Sequence, residues 1–300
     1  MLLITKFSVS FSVHIIIYFI FNSNLVRADG IILENMTQLL KGPYRPDKHT
    51  FSKHLVSIRG NKIFLIYGDN HICGGSIMSP DVIVTAAHCL VDLKKGTVFD
   101  SERFVVVAGN PFMFQRSNTT QTMHIKTVII HPLYNASKYD YDIGILKLLG
   151  NLNEDTNNVL RIPLAKLRPS STTMCTTIGW GKLFYMGPLT DEVLYVDVMV
   201  WEYEKCLQRM PMITTHMLCA NHLSSFAKDA CSGDSGGPLI CGGELAGIVS
   251  FGVGCGFPGF PCVYTDVAYF RDWLIENTAV DLILGNHLLY FHERKSTSMY

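Results

Sequence analysis

Cys-Ser-Gly-Asp-Ser-Gly-Gly-Pro, at residues 231–238, is the most informative stretch of this chain. The glycines around Ser235 permit a tight turn whose backbone N–H groups can point at a developing oxyanion. The serine hydroxyl then lies where a substrate carbonyl can meet it. A bare Gly-x-Ser-x-Gly is common by chance, whereas the longer Gly-Asp-Ser-Gly-Gly-Pro is rare. The stretch therefore predicts a serine nucleophile, and the rest of the chain must supply its partners.

Composition describes a globular protein with balanced charge. The 300 residues are 48% hydrophobic and 17% charged, with a formal net charge of zero. This length allows one large or two small hydrophobic cores. The balanced charge gives no reason to expect a nucleic-acid partner. The histidines and cysteines show no metal-binding spacing, so we expect neither a metal nor another cofactor.

The first 28 residues have the features of a signal peptide. Lys6 supplies the early charge, residues 7–21 are almost continuously apolar, and Val-Arg-Ala at 26–28 offers small residues for cleavage. An uncleaved signal anchor is the alternative, although the apolar run is shorter than the ~20 residues of a spanning helix. We expect a secreted, extracellular protein with no membrane association in its mature form.

Cysteines and glycosylation motifs agree with this route. Nine cysteines suit an oxidising compartment, although spacing alone does not fix how they pair. Asn-x-Ser/Thr sequons predict glycans at Asn35, Asn118 and Asn135.

Short β segments dominate the chain after residue 50. Residues 82–85, 104–107 and 193–200 are β-branched runs bounded by polar or glycine residues. The convincing helix is predicted at 268–277, where apolar residues recur with helical spacing. Many strands with a single terminal helix favour an all-β fold, as barrels or a sandwich. The polar stretch 151–158 is the predicted crossing between two halves.

A serine nucleophile needs a base within hydrogen-bond reach, and the base needs an orienting carboxylate. Thr-Ala-Ala-His-Cys at 85–89 follows an apolar strand and offers His88. Asp142 opens the apolar run Asp-Ile-Gly-Ile-Leu and offers the carboxylate. Asp140 is a competing candidate, but the apolar residues after Asp142 favour the latter.

These strings together resemble the trypsin/chymotrypsin-like serine proteases. The similarity lies in the string around Ser235, the string around His88, and residues 142–146, where glycine replaces the usual alanine. The order histidine, aspartate, serine is also that of this family. The resemblance extends over about residues 39–277 and points to a secreted, insect-type trypsin-like member.

The resemblance implies two packed six-stranded antiparallel β-barrels followed by a helix. The expected segments are a signal peptide at 1–28, a short propeptide at 29–38, a peptidase domain at 39–277 with barrel halves at about 39–155 and 156–267 and a helix at 268–277, and a C-terminal extension at 278–300. No function is readable in the extension.

The resemblance also implies the chemistry of a serine endopeptidase. His88 accepts the Ser235 proton and returns it to the leaving amine, and Asp142 stays ionised and orients the imidazole. The backbone N–H groups of Gly233 and Ser235 form the oxyanion hole. The expected partners are protein or peptide substrates, an activating protease and protein inhibitors, acting on a monomer. Alternatives are a latent, regulatory protein with this fold, and an esterase, which the order of the residues disfavours.

Substrate choice is expected to depend on Asp229, six residues before the serine. In the family this position is the base of the P1 pocket, and a carboxylate there implies cleavage after Arg or Lys. Ser250 and Gly252 match one pocket wall. Cys262 stands where the family has glycine in another wall, so it either narrows the pocket or points aside.

Disulfide pairing is likewise implied by the resemblance. The expected bonds are Cys73–Cys89, Cys175–Cys241, Cys206–Cys219 and Cys231–Cys255. The first would brace the His88 loop and the last the Ser235 loop, each restricting the unfolded chain.

Activation is where the chain departs most from the family. Family zymogens release a new N-terminal ammonium that pairs with the aspartate before the serine, here Asp234. The register places that terminus at Leu39, but Gln38 precedes it instead of Arg or Lys. Three alternatives follow: a protease that is not trypsin-like cuts after Gln38, the mature N-terminus lies elsewhere, or the chain is not activated.

Overall fold

The computed structural model describes residues 44–46, 48–155, 157–182, 187–222, 230, 232–254, 257 and 259–278. Several predictions from the sequence therefore lie outside the described residues. They concern the signal peptide, the propeptide with Asn35, the terminus at Leu39, the pocket residue Asp229, the Cys231–Cys255 bond and residues 279–300 of the extension. Within the described part of the chain, no helix is both long and apolar enough to cross a membrane.

The first half forms a closed barrel of six antiparallel strands in the order β1-β2-β3-β8-β7-β6. These strands are β1 (Leu55–Gly60), β2 (His71–Ser79), β3 (Val82–Thr85), β6 (Phe104–Ala108), β7 (Gln121–Ile130) and β8 (Gly144–Leu148). Two short strands, β4 (Val91–Asp92) and β5 (Thr97–Val98), form a separate hairpin. Short 3₁₀ turns occur at Ser52–His54, Ala87–Cys89 and Ser101–Arg103.

The second half forms a second closed barrel in the order β10-β11-β14-β13-β12-β9. Its strands are β9 (Met174–Gly179), β10 (Leu194–Val200), β11 (Met217–Asn221), β12 (Pro238–Cys241), β13 (Glu244–Gly252) and β14 (Cys262–Asp266), with helix α1 at Tyr203–Arg209. Closure leaves no unpaired sheet edge, which is how small barrels satisfy their backbone. The predicted fold of two six-stranded antiparallel barrels is confirmed.

The last described element, helix α2, spans residues 271–278. It begins at residue 271 rather than at 268, where the helical spacing had placed its start. The carboxylate of Asp266 accepts the backbone N–H of Ala268 at 3.0 Å. This local bond competes with the helical pattern and holds residues 267–270 in turns.

One hydrophobic cluster joins the two halves. It includes Ile83 and Ile145 of the first barrel and Ile178, Tyr195 and Ile248 of the second, each no more than 2% exposed. Residues 149–173 connect β8 to β9, and their described part contains no strand. The described residues of the polar run 151–158 therefore lie in the connection between the barrels.

Three disulfides lie among the described residues. Cys73–Cys89 ties β2 to the 3₁₀ turn at 87–89, Cys175–Cys241 ties β9 to β12, and Cys206–Cys219 ties α1 to β11. These are three of the four pairs that the resemblance implies. The first bond anchors Cys89, the residue directly after His88, to β2. Because β3 precedes the same turn, His88 lies between two anchored segments.

Candidate active site

His88 lies in the 3₁₀ turn that follows β3. Its backbone N–H donates to Asp142 Oδ1 at 2.8 Å, and its Nδ1–H donates to Asp142 Oδ2 at 2.7 Å. Two bonds to one carboxylate fix both the position and the plane of the imidazole. Because Nδ1 is the donor, Nε2 is left as the acceptor of the neutral ring.

Asp142 is the buried centre of this arrangement, at 1% exposure. The hydroxyl of Ser250 donates to Oδ2 at 2.5 Å, and the Thr265 hydroxyl holds the Asp142 backbone carbonyl at 2.7 Å. The carboxylate thus receives three donors, counting the two from His88. A buried carboxylate needs such donors because it has lost its hydration.

Electrostatics at His88 favour the protonated ring. Burial alone lowers the pKa of His88, but the negative charge of Asp142 and the hydrogen bond to it outweigh burial and raise the pKa above its ordinary value. The site therefore stabilises an imidazolium that forms when the ring accepts a proton.

Asp140, the competing carboxylate, has different partners. It accepts hydrogen bonds from His216 Nε2 at 2.5 Å and from the Thr214 hydroxyl at 3.0 Å. The intervening Tyr141 has φ 54°, which turns the backbone sharply between the two aspartates. Asp142, not Asp140, is the carboxylate that the structure brings to His88.

The Ser235 loop is fitted against the first barrel beside the His88 turn. The N–H of Gly74 in β2 donates to the Ser235 carbonyl at 2.8 Å. Gly236 has φ 77°, and a Cβ there would lie 2.1 Å from the Thr85 hydroxyl oxygen. Only glycine fits this position, because both the backbone angle and the contact exclude a side chain. Gly236, the residue directly after Ser235, therefore lies against the end of β3, from which the His88 turn continues.

The Asp234 carboxylate lies at the end of β9. Its Oδ1 accepts the backbone N–H of Gly181 at 2.7 Å. A Cβ on either Gly179 or Gly181 would lie 2.1 Å from one of its carboxylate oxygens. The two glycines of Gly-Trp-Gly therefore form a close-fitting backbone cradle for this carboxylate.

A hydrogen-bonded chain from the first barrel supports Gly233. His71 Nε2–H donates to the Gly233 carbonyl at 2.8 Å, while its Nδ1 accepts from the Ser57 hydroxyl at 2.8 Å. Arg59 Nε donates to the same hydroxyl at 2.9 Å. Burial, together with the charge of Arg59, lowers the pKa of His71 to about 4. The His71 ring is therefore neutral near pH 7, and its proton is on Nε2, where it is donated to the Gly233 carbonyl.

Aromatic side chains form a wall next to His88. The Tyr139 ring lies 5.4 Å from the His88 ring and 5.5 Å from the Phe251 ring, measured between centroids. Tyr139 has φ 52°, so the backbone turn of this segment directs its side chain over the site.

The predicted pocket residues lie on paired strands. Gly252 of β13 is paired with Cys262 of β14. Cys262 is a buried thiol whose Sγ lies 3.6 Å from the Phe251 carbonyl oxygen. Ser250 is 5% exposed and gives its hydroxyl to Asp142, so its side chain serves the carboxylate as well as the predicted wall.

The family model described as Trypsin matches residues 48–274. The chain belongs to the trypsin family. It is accordingly a serine endopeptidase, a hydrolase whose substrates are proteins.

Several members of the trypsin family are similar over most of the chain. Hypodermin-B of Hypoderma lineatum is 38% identical over 215 residues, covering 70% of this chain and 79% of that protein. Trypsin eta of Drosophila melanogaster is 38% identical over 227 residues, with 75% and 83% covered. Trypsin-1 of Salmo salar is 35% identical over 210 residues, with 70% and 82% covered.

Some contacts of this trypsin-family site were not anticipated from the sequence. They are the cradle of Asp234, the support of Gly233 by His71, and the aromatic wall at Tyr139. The Gly-Trp-Gly string was a usable signal for the first. No local pattern marks His71, because its partner Gly233 is 162 residues away in sequence.

One apparent metal cluster is excluded by the cysteine chemistry. Ligand atoms of Cys73, His88 and Cys89 lie within 4.8 Å of one another. The two cysteines are joined in a disulfide, so neither offers the thiolate that a metal requires.

Proposed function

We propose that this chain is a secreted, trypsin-like endopeptidase that cleaves after Arg or Lys through a Ser235–His88–Asp142 acyl-enzyme mechanism. One observation carries the proposal. The buried Asp142 carboxylate holds His88 by two hydrogen bonds, of 2.7 and 2.8 Å, beside the loop that presents Ser235. This is the arrangement that a serine needs from its base and its orienting carboxylate.

The chemistry follows from the donor and acceptor roles. In acylation, His88 Nε2 takes the Ser235 proton as Oγ attacks the substrate carbonyl, and Asp142 stabilises the resulting imidazolium. The N–H groups of Gly233 and Ser235 stabilise the oxyanion. The imidazolium then protonates the leaving amine. In deacylation, His88 activates water, which attacks the acyl-enzyme and regenerates the serine.

Specificity in this proposal rests on Asp229 at the base of the P1 pocket. A carboxylate in a closed pocket binds a substrate cation because an unpaired buried charge is costly. Ser250 and Gly252 form the adjacent wall. Cys262 narrows the pocket where the family has glycine, which disfavours the broad guanidinium and shifts preference toward Lys.

Maturation in this proposal removes residues 1–28 and then 29–38. The new ammonium of Leu39 pairs with Asp234 and stabilises the Ser235 loop. The secreted enzyme carries glycans at Asn35 before processing and at Asn118 and Asn135 afterwards, and acts as a monomer.

The test combines active-site labelling, N-terminal sequencing and a P1 profile. Purified protein beginning at Leu39 should react with a serine-directed fluorophosphonate and cleave fluorogenic Lys and Arg substrates over Tyr and Ala substrates. Ser235→Ala should abolish labelling, and Cys262→Gly should raise the rate on Arg relative to Lys. Wild-type protein that begins at Leu39 and remains unlabelled would support the latent, regulatory alternative.

A further inference from the structure

The turn between β1 and β2 carries four consecutive large apolar side chains outward. Ile63, Phe64, Leu65 and Ile66 are 52%, 78%, 92% and 57% exposed. Single exposed apolar residues are ordinary on protein surfaces, whereas a contiguous exposed group marks an interaction site. Residues 63–66 are termed the apolar tip below.

The Asp69 side chain holds the backbone of the apolar tip. The Asp69 carboxylate accepts the N–H groups of Phe64 at 3.1 Å, Leu65 at 2.5 Å and Ile66 at 2.9 Å. Lipid offers no hydrogen-bond partner to a backbone N–H, so an unsatisfied turn is costly to insert. Because the three N–H groups of the tip already bond to Asp69, the free-energy cost of inserting its backbone into lipid is reduced.

Cationic side chains surround the base of the apolar tip. Lys62 immediately precedes the tip, and the Arg116 guanidinium lies 4.6 Å from the centre of the Tyr67 ring, which immediately follows it. Arg103 is exposed, and its backbone oxygen accepts a hydrogen bond at the base of the tip. The opposing acids are exposed Asp100 and Glu102 beside Arg103 and the Asp69 carboxylate bonded to the tip backbone. Cations around a protruding apolar group are complementary to an anionic lipid surface.

The β4–β5 hairpin extends this surface. Leu93 and Val98 are 52% and 43% exposed, and the Lys94–Lys95 pair between them is also exposed. The Arg103 guanidinium lies 3.9 Å from the centre of the Phe99 ring, which directly follows β5. This contact links the hairpin to the base of the apolar tip, adding apolar and cationic groups to the same edge.

We propose that the apolar tip inserts into the surface of a membrane containing anionic lipids, with Lys62, Arg103 and Arg116 at the headgroups. The four side chains of the tip are more than half exposed, so they are free to enter a fluid lipid surface. The sequence predicts no membrane association in the mature form, because no segment after the signal peptide is long and apolar enough to span a membrane. An interfacial turn needs no such segment. The proposal does not depend on the proposed catalytic mechanism.

Vesicle co-sedimentation of the purified secreted protein tests the proposal. The probes are vesicles of phosphatidylcholine with phosphatidylserine and vesicles of phosphatidylcholine alone. Phe64→Ser/Leu65→Ser should weaken binding to phosphatidylserine vesicles by about tenfold or more. The matched control is Leu149→Ser/Leu167→Ser, which removes two side chains that are 66% and 83% exposed elsewhere. It should bind like the wild type.

A second variant addresses the charges. Lys62→Gln/Arg116→Gln should weaken binding to phosphatidylserine vesicles and reduce its dependence on salt. Thermal unfolding of each variant checks that the fold is intact. If Phe64→Ser/Leu65→Ser unfolds at a low temperature, the Lys62→Gln/Arg116→Gln variant still tests the proposal.

Several outcomes would overturn the proposal. One is wild-type protein that stays in the supernatant with phosphatidylserine vesicles, and another is a tip variant that binds as the wild type does. Equal binding to both vesicle types would overturn the anionic-lipid assignment. Wild-type self-association in sedimentation velocity, lost in the tip variant and without vesicle binding, would instead assign the tip to contacts between copies of this chain.

Discussion

Asp140 and Asp142 carry the same side chain two residues apart, yet they meet different partners. Asp142 bonds twice to His88. Asp140 bonds to His216, because the positive φ of Tyr141 turns the backbone between them. At this scale, the backbone angle decides which of two equivalent carboxylates can orient the base.

Replacing Asp142 should separate its role from that of Asp140. Asp142→Asn should lower kcat by about 10⁴, because an amide no longer holds His88 in the required tautomer. Asp140→Asn is the matched control and should retain turnover close to wild type. Steady-state kinetics on a fluorogenic substrate measures both, and near-normal turnover in Asp142→Asn would rule out its proposed role.

His71 should make stability depend on acid pH. Its pKa falls from 6.5 to about 4 on folding, so the folded state resists protonation. The resulting stability is present above the unfolded pKa of 6.5 and is lost as pH falls toward 4. The loss is up to about 3 kcal/mol over this range. Urea unfolding at pH 7 and pH 5 should show about 2 kcal/mol of this loss.

The matched variants for this pH effect are His71→Gln and His124→Gln. His71→Gln should flatten the change in unfolding free energy between pH 7 and pH 5. His124 is exposed, and its replacement should leave the change as in wild type. An unchanged pH dependence in His71→Gln would remove His71 as its source.

Two glycine turns show how an element's surroundings decide the cost of a side chain. Gly236 in the Ser235 loop has φ 77° and faces the Thr85 hydroxyl and the Gly74 carbonyl. Gly243 in the β12–β13 turn has φ 84°, with nothing within 4 Å of an added Cβ. An alanine would meet similar backbone strain in both turns, because both φ angles are positive. Only at Gly236 would its Cβ also clash with neighbouring atoms.

Alanine at these two glycines should therefore have unequal effects. Gly243→Ala should cost about 1 kcal/mol through backbone strain alone. Gly236→Ala should cost at least about 3 kcal/mol, because strain adds to a clash with the first barrel. Chemical denaturation in a Ser235→Ala background, which prevents self-digestion, compares the two. Equal costs would mean that the loop relaxes away from β2 and β3.

At the scale of the whole molecule, the Ser235 loop belongs to the second barrel but packs on the first. Gly74 and Thr85 of the first barrel contact it, and His71 reaches the Gly233 carbonyl. The proposed activation adds a further connection, between a new N-terminus and Asp234. In the proposed activation, the Ser235 loop becomes more ordered and the two barrels stay unchanged.

Introducing a basic residue before Leu39 should make the chain activatable by trypsin. Gln38→Arg should be cut after residue 38, and the new terminus should increase fluorophosphonate labelling of Ser235. Gln38→Asn is the control and should not be cut there. N-terminal sequencing and labelling on the same samples give the result.

Adding Asp234→Asn to Gln38→Arg tests where the new terminus acts. The double variant should be cut at the same bond and gain little labelling, since the ammonium has lost its proposed partner. Strong labelling of the cut double variant would show that Asp234 is not that partner.

The fold class and the three proposed catalytic residues were readable from the sequence, because each lies in a distinctive local string. The base and carboxylate follow recognisable strands, and a glycine-rich loop surrounds the serine. The supporting contacts were not readable. His71 and Gly233 are 162 residues apart, and Tyr139 lies beside His88 in a segment with a positive φ that no local pattern indicated.

The residue patterns of the sequence predicted an all-β chain, as barrels or a sandwich, with a serine, a histidine and an aspartate in the order of its family, and the resemblance to that family implied the two barrels. These properties depend on short-range patterns of apolar residues, glycines and reactive side chains. Only the folded chain showed the two hydrogen bonds by which Asp142, the carboxylate already favoured from the sequence, holds His88, the support of Gly233 by His71, and the exposure of residues 63–66. Those outcomes depend on backbone angles and on contacts between distant segments, which exist only once the chain has closed into its barrels.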